Sequence, residues 1–390
     1  MSVFDDLVGQ DEVVVALTTA ARDAHMEPPG TAMTHAWLVT GPAGSGRSTA
    51  ARAFAAALVC PDQGCGFCQE CVAVQHGSHV DVEHIVPEGV TYRIDETRDL
   101  VRRSTIAPSR NRWHVFVLED ADRLSDESAN ALLKSIEEPP PGTVWILCAP
   151  STEDVLATVR SRCRHLALAT PTTAEVAATL ASRYGVDPAM AAFAARAAQG
   201  HIGRARALAT DEQTRMRRHD VLRIPTSLTD LGACFLLAGD LVATVTDDVS
   251  AICDPMDARE HEQLLAAYGA GAEGRGIGTA ERRAKGMVKE LADSQKRRRR
   301  RVQRDQLDRA IVDLTAFYRD VLVVQIGAGA QLVNDEMRPQ IQQLAASGSP
   351  EQTLRRIGAL DRTKGLLESN VTPLLAFESL LVALKDPTLA

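Results

Sequence analysis

One eight-residue turn constrains this chain more than any other feature in it. Gly41-Pro-Ala-Gly44-Ser-Gly46-Arg47-Ser48 follows the short apolar run Ala36-Trp-Leu-Val-Thr40 and leads into the alanine-rich stretch Thr49–Val59, which stops at Cys60-Pro61. A strand-like run, a glycine-rich turn and a helix-forming segment, in that order, make a loop whose backbone N–H groups and helix N-terminus can cradle phosphate. The phosphate-loop pattern places Lys where Arg47 stands. Arg keeps the charge but is bulkier and forked, so it is not an equivalent group at that spot. Two readings follow: a loop that still binds nucleotide, or a fold element that holds none. Gly41, Gly44, Gly46, Arg47, Ser48 and Thr49 are the candidate contacts.

The first third alternates strand and helix signals. Trp113–Leu118 reads as a strand, Ser125–Glu138 as a helix closed by Pro139-Pro-Pro141, and Val144–Cys148 as a buried strand. Such alternation predicts an α/β domain with a parallel sheet. The Trp113 strand ends in Glu119-Asp120-Ala-Asp122, which resembles a Walker B element, where one acid orients Mg²⁺ and the next polarises the attacking water. An active site of this kind should read Asp then Glu. The inverted order, Glu119 then Asp120, misplaces each group by about a methylene, so hydrolysis is not expected.

After residue 173 strand signals fade. Ala174–Arg183, Pro188–Gln199 and Ile202–Ala209 read as three short helices, and a long helical region follows, with Gly269–Gly278 expected to be a loop. Leu307, Ile311, Leu314, Tyr318 and Val321 step by four and three, one apolar helix face. We therefore divide the chain into 1–167, 168–210 and 211–390, with no internal repeat. No apolar run reaches the length of a membrane span, and Asp5 and Asp6 stand where a signal peptide would be basic and then apolar. A cytoplasmic protein is expected.

Eight cysteines in such a chain argue for metal ligation or burial rather than disulfides. Cys60-x4-Cys65-x2-Cys68-x2-Cys71 packs four thiols into twelve residues. Four thiolates are the closed tetrahedral set of a structural zinc site. Cys-x4-Cys-x2-Cys also opens the plant-type ferredoxin spacing, but there the fourth cysteine lies far away, so zinc is preferred over iron–sulfur. His76, His79 and His84 are spare ligands better read as surface or core residues, and Cys148, Cys234 and Cys253 as small buried residues.

The net charge is −8, which rules out binding DNA through bulk charge. Between residues 281 and 310, however, twelve Lys or Arg face five acids, +7, leaving −15 elsewhere. The run Lys296–Arg301 within it is either a DNA contact or a solvated helix face, and charge runs are usually the latter.

Arg160-Ser161-Arg162-Cys163-Arg164 alone would be a solvated basic edge. In company it carries more. The order of phosphate loop, four-cysteine insertion, acid strand, Asn130-Ala-Leu-Leu-Lys-Ser-Ile-Glu-Glu138-Pro-Pro and Ser161-Arg162-Cys163 resembles the bacterial clamp loader subunits of DNA polymerase III, within the AAA+ superfamily. Phe4-Asp-Asp-Leu-Val8-Gly9-Gln10 is similar to that family's N-terminal box near the adenine pocket, which adds Val8 and Gly9 to the nucleotide set. The resemblance covers Val3 to about Leu208; the remainder matches only as a helical segment of suitable length.

The resemblance implies a RecA-like α/β AAA+ domain with a zinc module at 60–71, a small helical lid and an all-α collar. The departures point to the family's stator, the delta prime type, which does not hydrolyse ATP: Arg47, the acid order, Ala149-Pro150 in place of a polar sensor, and Gly203 where a lid arginine would stand, with Arg204 one step off. It further implies that Arg162, between Ser161 and Cys163, acts in trans on a neighbour's nucleotide. The implied partners are gamma/tau-like ATPase subunits, a delta subunit, the sliding clamp and, through the complex, primed DNA. No activity of its own is expected; polymerase chemistry would belong to another subunit, and ATP or ADP in the chain's own pocket stays an open alternative. The rivals are a self-sufficient AAA+ ATPase and a zinc-dependent nucleic-acid-binding module.

Overall fold

The computed structural model describes residues 2–388 except 88, 90, 268–276 and 370, with backbone alone at 265, 267, 277–285 and 368. It divides into two compact units, Met1–Glu212 and Gln213–Ala390.

The first unit runs α1 (Asp11–Ala24), β1 (Ala36–Thr40), α2 (Arg47–Val59), α3 (Gln69–Gln75), β2 (Val82–Ile85), α4 (Ile94–Ser104), β3 (His114–Leu118), α5 (Asp126–Glu137), β4 (Thr143–Ala149), α6 (Ala157–Arg160) and β5 (Arg164–Ala167). The five strands form one sheet in the order β2-β3-β4-β1-β5, every pairing parallel. β1, β3 and β4 are buried along their whole length, which is why they read as continuous apolar runs instead of alternating ones. Successive side chains point to opposite faces. Trp37, Val39, Val115, Val117 and Ile146 pack with α1 and α2 on one side, and Leu38, Phe116, Leu118, Trp145 and Leu147 pack with α4 and α5 on the other. β1 ends on the glycine-rich turn in the middle of this sheet, next to the carboxyl end of β4, where ligands of open α/β sheets bind.

The three expected strands are present within a residue or so of their predicted ends. β2 and β5 were not foreseen. Both are four-residue edge strands, and β5 begins with the exposed Arg164 and His165, so neither carries an apolar run. Helices α7 (Thr173–Tyr184), α8 (Pro188–Ala198) and α9 (Ile202–Thr210) complete the unit around their own small core of Val176, Leu180, Ala194, Ala195 and Leu208. Local chemistry sets their ends: Thr172 and Glu175 form a capping box, Asp187 caps α8 ahead of Pro188, and Gly185 closes α7 in the left-handed conformation.

The second unit shows no strand among its described residues. It holds α10 (Glu212–Ser227), α11 (Leu231–Ala267), α12 (Ile277–Gln325), α13 (Arg338–Ser347), α14 (Pro350–Glu368) and α15 (Pro373–Lys385). The predicted face Leu307, Ile311, Leu314, Tyr318 and Val321 is buried throughout. The first four pack with Cys234, Ala238 and Val249 of α11 and Phe377 and Leu380 of α15, and Val321 joins Leu222 and Phe317 in a smaller cluster. Of the expected glycine loop, 269–276 lie outside the described residues, while 277 and 278 already belong to α12. The basic run is part of that helix. Arg298 pairs with Asp257 and Glu260, and Arg299 with Asp254 and Asp257, so these two guanidinium groups are matched by acids of α11. No described helix is long and apolar enough to cross a membrane.

Candidate functional site

Helix α2 carries a candidate site at each end. At its N-terminus the turn takes its shape from glycines in conformations that side chains rarely adopt, Gly44 at φ 84° and Gly46 at φ 98°. A Cβ on Gly44 would also lie 2.4 Å from the Cβ of His201, so the residue before α9 packs directly onto the loop. Gln10 ties the N-terminal Val8-Gly9-Gln10 box to the same region. Its amide donates to the Ala169 carbonyl at 2.7 Å and accepts from the Ala169 N–H at 3.1 Å. Gly9 sits at φ 67° against the Glu175 carboxylate, and Val8 is half-buried beside it.

Arg47, Ser48 and Glu119 all find hydrogen-bond partners within the chain. Arg47 folds back and donates to the carbonyl of Gly41, the first residue of its own loop. Ser48 donates to Glu119 Oε2 at 2.7 Å, and His84 Nε2 lies 2.9 Å from Glu119 Oε1. Burial pushes the Glu119 carboxyl up, but the hydrogen bonds from His84 and Ser48 outweigh it and hold the group below its ordinary value. Asp120 occupies a left-handed turn at φ 48° and pairs with Arg123 at 3.7 Å. Thr49 follows in the first turn of α2, half-buried. The end of β4 offers a backbone group instead of a polar side chain: the Pro150 carbonyl accepts from Gly41 N–H at 3.2 Å. At Gly203 there is no side chain to reach a phosphate, and the Arg204 N–H bonds His201 Nδ1 at 3.2 Å. The Ser45 hydroxyl, Asp122 Oδ1 and Arg123 Nη1 are buried with no hydrogen-bond partner.

At the C-terminus of α2, Cys60 begins the cysteine cluster. The ligand atoms of Cys60, Cys65, Cys68 and Cys71 all lie within 4.8 Å of one another, with Cys60 Sγ 3.8 Å from Cys65 Sγ and 3.6 Å from Cys68 Sγ. All four are free thiols. A tetrahedron with metal–sulfur bonds of about 2.3 Å has edges of about 3.8 Å, so the four can hold one metal ion. The backbone N–H groups of Cys68 and Cys71 point at the sulfurs of Cys65 and Cys68, each at 3.4 Å. The Cys65 thiol is lowered to about 7, chiefly by the Phe67 N–H. The histidines lie elsewhere. His76 is exposed, His79 pairs with Glu70 at 2.7 Å, and His84 is the partner of Glu119. Cys148, Cys234 and Cys253 are buried, as expected.

Ser161-Arg162-Cys163 follows α6. Cys163 packs beneath the element against the sheet core, where burial pushes its thiol up to about 12. Ser161 is exposed and donates to the Thr158 carbonyl at 3.1 Å. Arg162 is exposed too, bonded to Glu137 and to the Thr158 carbonyl. Its neighbours are tied to the chain: Arg160 donates to the Thr152 carbonyl, and Arg164 to that of Ala32 while stacking over Trp37.

Sequence reasoning missed His84 and His201 as members of the pocket. Strand register brings His84 there: β2 pairs with β3 so that Ile85 faces Leu118, one residue before Glu119. His201 lies 157 residues from Gly44, and no local signal links them.

A family model described as "DNA polymerase III, delta subunit" matches residues 20–172, and one described as "DNA polymerase III, delta subunit, C terminal" matches 302–386. The chain is 33% identical to the DNA polymerase III subunit gamma/tau of Mycobacterium bovis over 168 residues, 42% of this chain and 28% of that protein. It is 29% identical to the tau subunit of Bacillus subtilis over 254 residues, 63% and 43% respectively. It thus spans well under half the length of these curated relatives. Among solved structures, a DNA polymerase III gamma subunit-related protein from Thermotoga maritima matches with a TM-score of 0.45 at 14% identity, covering 95% of this chain and 99% of that one. With delta-subunit models matching near both ends of the chain, and a five-stranded parallel sheet bearing a phosphate-type loop and a four-cysteine cluster, the chain is similar to the clamp-loader-like subunits of DNA polymerase III.

Proposed function

We propose that the chain is a stator of the delta prime type in a replicative clamp loader, a subunit that hydrolyses no ATP itself and supplies Arg162 to the nucleotide of a neighbouring ATPase subunit. Its parts would be an α/β domain over 1–167, a helical lid over 168–210 and a collar over 211–390. The observation that carries this reading is a contrast between two places on one domain. In the pocket, the acid that should serve Mg²⁺ is committed to Ser48 and His84, and the cation that should meet phosphate is committed to Gly41. On the outside, Arg162 is exposed and presented on a backbone anchored by Cys163. A guanidinium held at a neighbour's γ-phosphate stabilises charge in the transition state. Partners of the gamma/tau and delta kinds, the sliding clamp and primed DNA follow from this role. Pocket occupancy by ATP or ADP is not needed for it.

Zinc is the metal we assign to the cysteines. The 3.6 and 3.8 Å sulfur separations fit one tetrahedral ion, and a multi-iron cluster placed among sulfurs within 4.8 Å would force them apart. With four thiolates no coordination position remains for chemistry, so its part is to hold the module folded.

The test is the clamp- and DNA-stimulated ATPase of a loader reconstituted with full-length Arg162→Ala. The complex should assemble and turn over more slowly, by the share of the one site that loses its finger. Lysine should rescue poorly, because a point charge on a flexible stem does not reproduce the planar fork. Arg160→Ala is the control and should match the unmodified loader. Equal loss from both, or none from Arg162→Ala, overturns the reading. The motor alternative, favoured by the relatives named gamma/tau, predicts instead that the chain hydrolyses ATP alone.

A further inference from the structure

Arg162 does not wave freely in solvent. Its Nε donates to Glu137, and its Nη1 to the Thr158 carbonyl at 2.7 Å and the Ser161 hydroxyl at 3.2 Å. The Nη2 group has no hydrogen-bond partner among the described residues, and the side chain is 37% exposed. Two points fix a planar group, so the guanidinium is held at Nε and at Nη1, and Nη2 is left unbonded.

Both clamps stand on rigid ground. Glu137 is the last residue of α5, which Glu138 and the proline run terminate. Thr158 belongs to α6, whose final turn is closed by the Arg162 N–H on the Val159 carbonyl at 3.1 Å. The placement of Glu137 is otherwise unfavourable, since an acid at a helix C-terminus opposes the helix dipole. Nor does the pair explain itself through stability, because both partners are substantially exposed and such bridges contribute little.

We infer that Glu137 is a positioning residue for the trans arginine: its carboxylate fixes the Nε edge of Arg162 so that Nη2 is presented to a phosphate oxygen of the neighbouring subunit. This rests on the finger role proposed above. The clamp lowers the disorder of a long side chain before the partner arrives, and misplacing a catalytic group by about 1 Å costs up to about a hundredfold in rate. A competing role would be that of a counter-ion which damps the arginine's charge.

The two roles separate in loaders reconstituted with full-length Glu137→Ala, Glu137→Gln, Arg162→Ala and the Glu137→Ala/Arg162→Ala pair. Glutamine keeps an oxygen that can accept from Nε; alanine removes it. Glu137→Ala should reduce the Arg162-dependent part of kcat by about three- to tenfold with KM unchanged, Glu137→Gln should retain most of it, and the double variant should equal Arg162→Ala alone. In the isolated chain, the Arg162 Nε–H resonance should be protected from exchange in the unmodified protein and the glutamine variant and lost in the alanine variant. A faster Glu137→Gln loader, an unaltered Glu137→Ala loader beside an impaired Arg162→Ala one, or equal losses from Glu137→Ala with and without Arg162 would each overturn the inference and leave the finger standing. An Arg162→Ala loader of full activity would take down both.

Discussion

The two ends of helix α2 have opposite fates. At its N-terminus the glycine frame of a phosphate loop is intact, yet Arg47, Ser48 and Glu119 have found partners within the chain. At its C-terminus all four cysteines converge, with their sulfurs at the spacing one metal ion asks for. The difference follows from what each chemistry demands. Phosphoryl transfer asks for reacting groups placed within a fraction of an ångström, so a longer acid or a forked cation spoils it. A closed tetrahedral site asks only for four ligands, and its return is folding free energy. On the stator reading proposed above, a chain that completes the second and gives up the first is built to be held in shape.

Three experiments sharpen or break that contrast. The largest effect should come from the cysteine end. Elemental analysis should find about one zinc per chain, and a strong chelator or Cys71→Ser should cost about 4 kcal/mol or more, the stabilisation of an ion held a thousandfold above its dissociation constant. Cys71 and Cys60 are fully buried, so the emptied module has no ready way to collapse. Iron in place of zinc, or a melting temperature indifferent to chelation, would break the comparison at this end.

The next effect lies at the loop end and is one of stability, not rate. Glu119→Ala leaves Ser48 and His84 without their buried acceptor and should destabilise the fold by about 1–3 kcal/mol. Turnover by the isolated chain should be negligible before and after the change. If the unmodified protein hydrolyses ATP like a dedicated motor and Glu119→Ala abolishes it, the N-terminal end of α2 is a working site and the stator reading fails.

The smallest effect is a pH dependence at the same residue. Glu119 is held below its ordinary value of 4.5 by His84 and Ser48. A depressed carboxyl adds stability above its unfolded value, and that contribution disappears as pH falls through the folded one. The melting-temperature gap between the unmodified protein and Glu119→Gln should therefore be flat above about pH 5.5 and shrink below about pH 4.5. A gap that widens on acidification would mean that the carboxyl is buried without effective partners.

Much of this was legible because it is local. A strand buried on both faces announces itself as an apolar run, a phosphate loop as glycines between strand and helix, and a metal site as four cysteines in twelve residues. α5 and α8 show their ends as Ser125 before an acidic first turn and Asp187 before Pro188. What was not legible is short, exposed or distant. The edge strands β2 and β5 lack apolar runs, and His84 was weighed as a metal ligand because its pairing with β3 is a matter of register. The basic run could not be assigned from charge alone, because the acids that meet Arg298 and Arg299 lie on a different helix.

By itself, the sequence determined the three central strands, the three short helices after residue 173 and the apolar face of α12, where the cysteine ligands and the glycine turn stand, and that Arg47, Glu119-Asp120 and Gly203 differ from the residue pattern expected of a hydrolysing subunit, since each of these is written within a few neighbouring residues. Only the tertiary structure decided what those residues do with their unused valences. Ser48 and His84 close on Glu119 from 71 and 35 residues away, His201 settles on Gly44, and Glu137 reaches Arg162 across 25 residues. A buried polar group must find a partner somewhere, and which one it finds is set by how strands and helices pack, not by the order in which they are written.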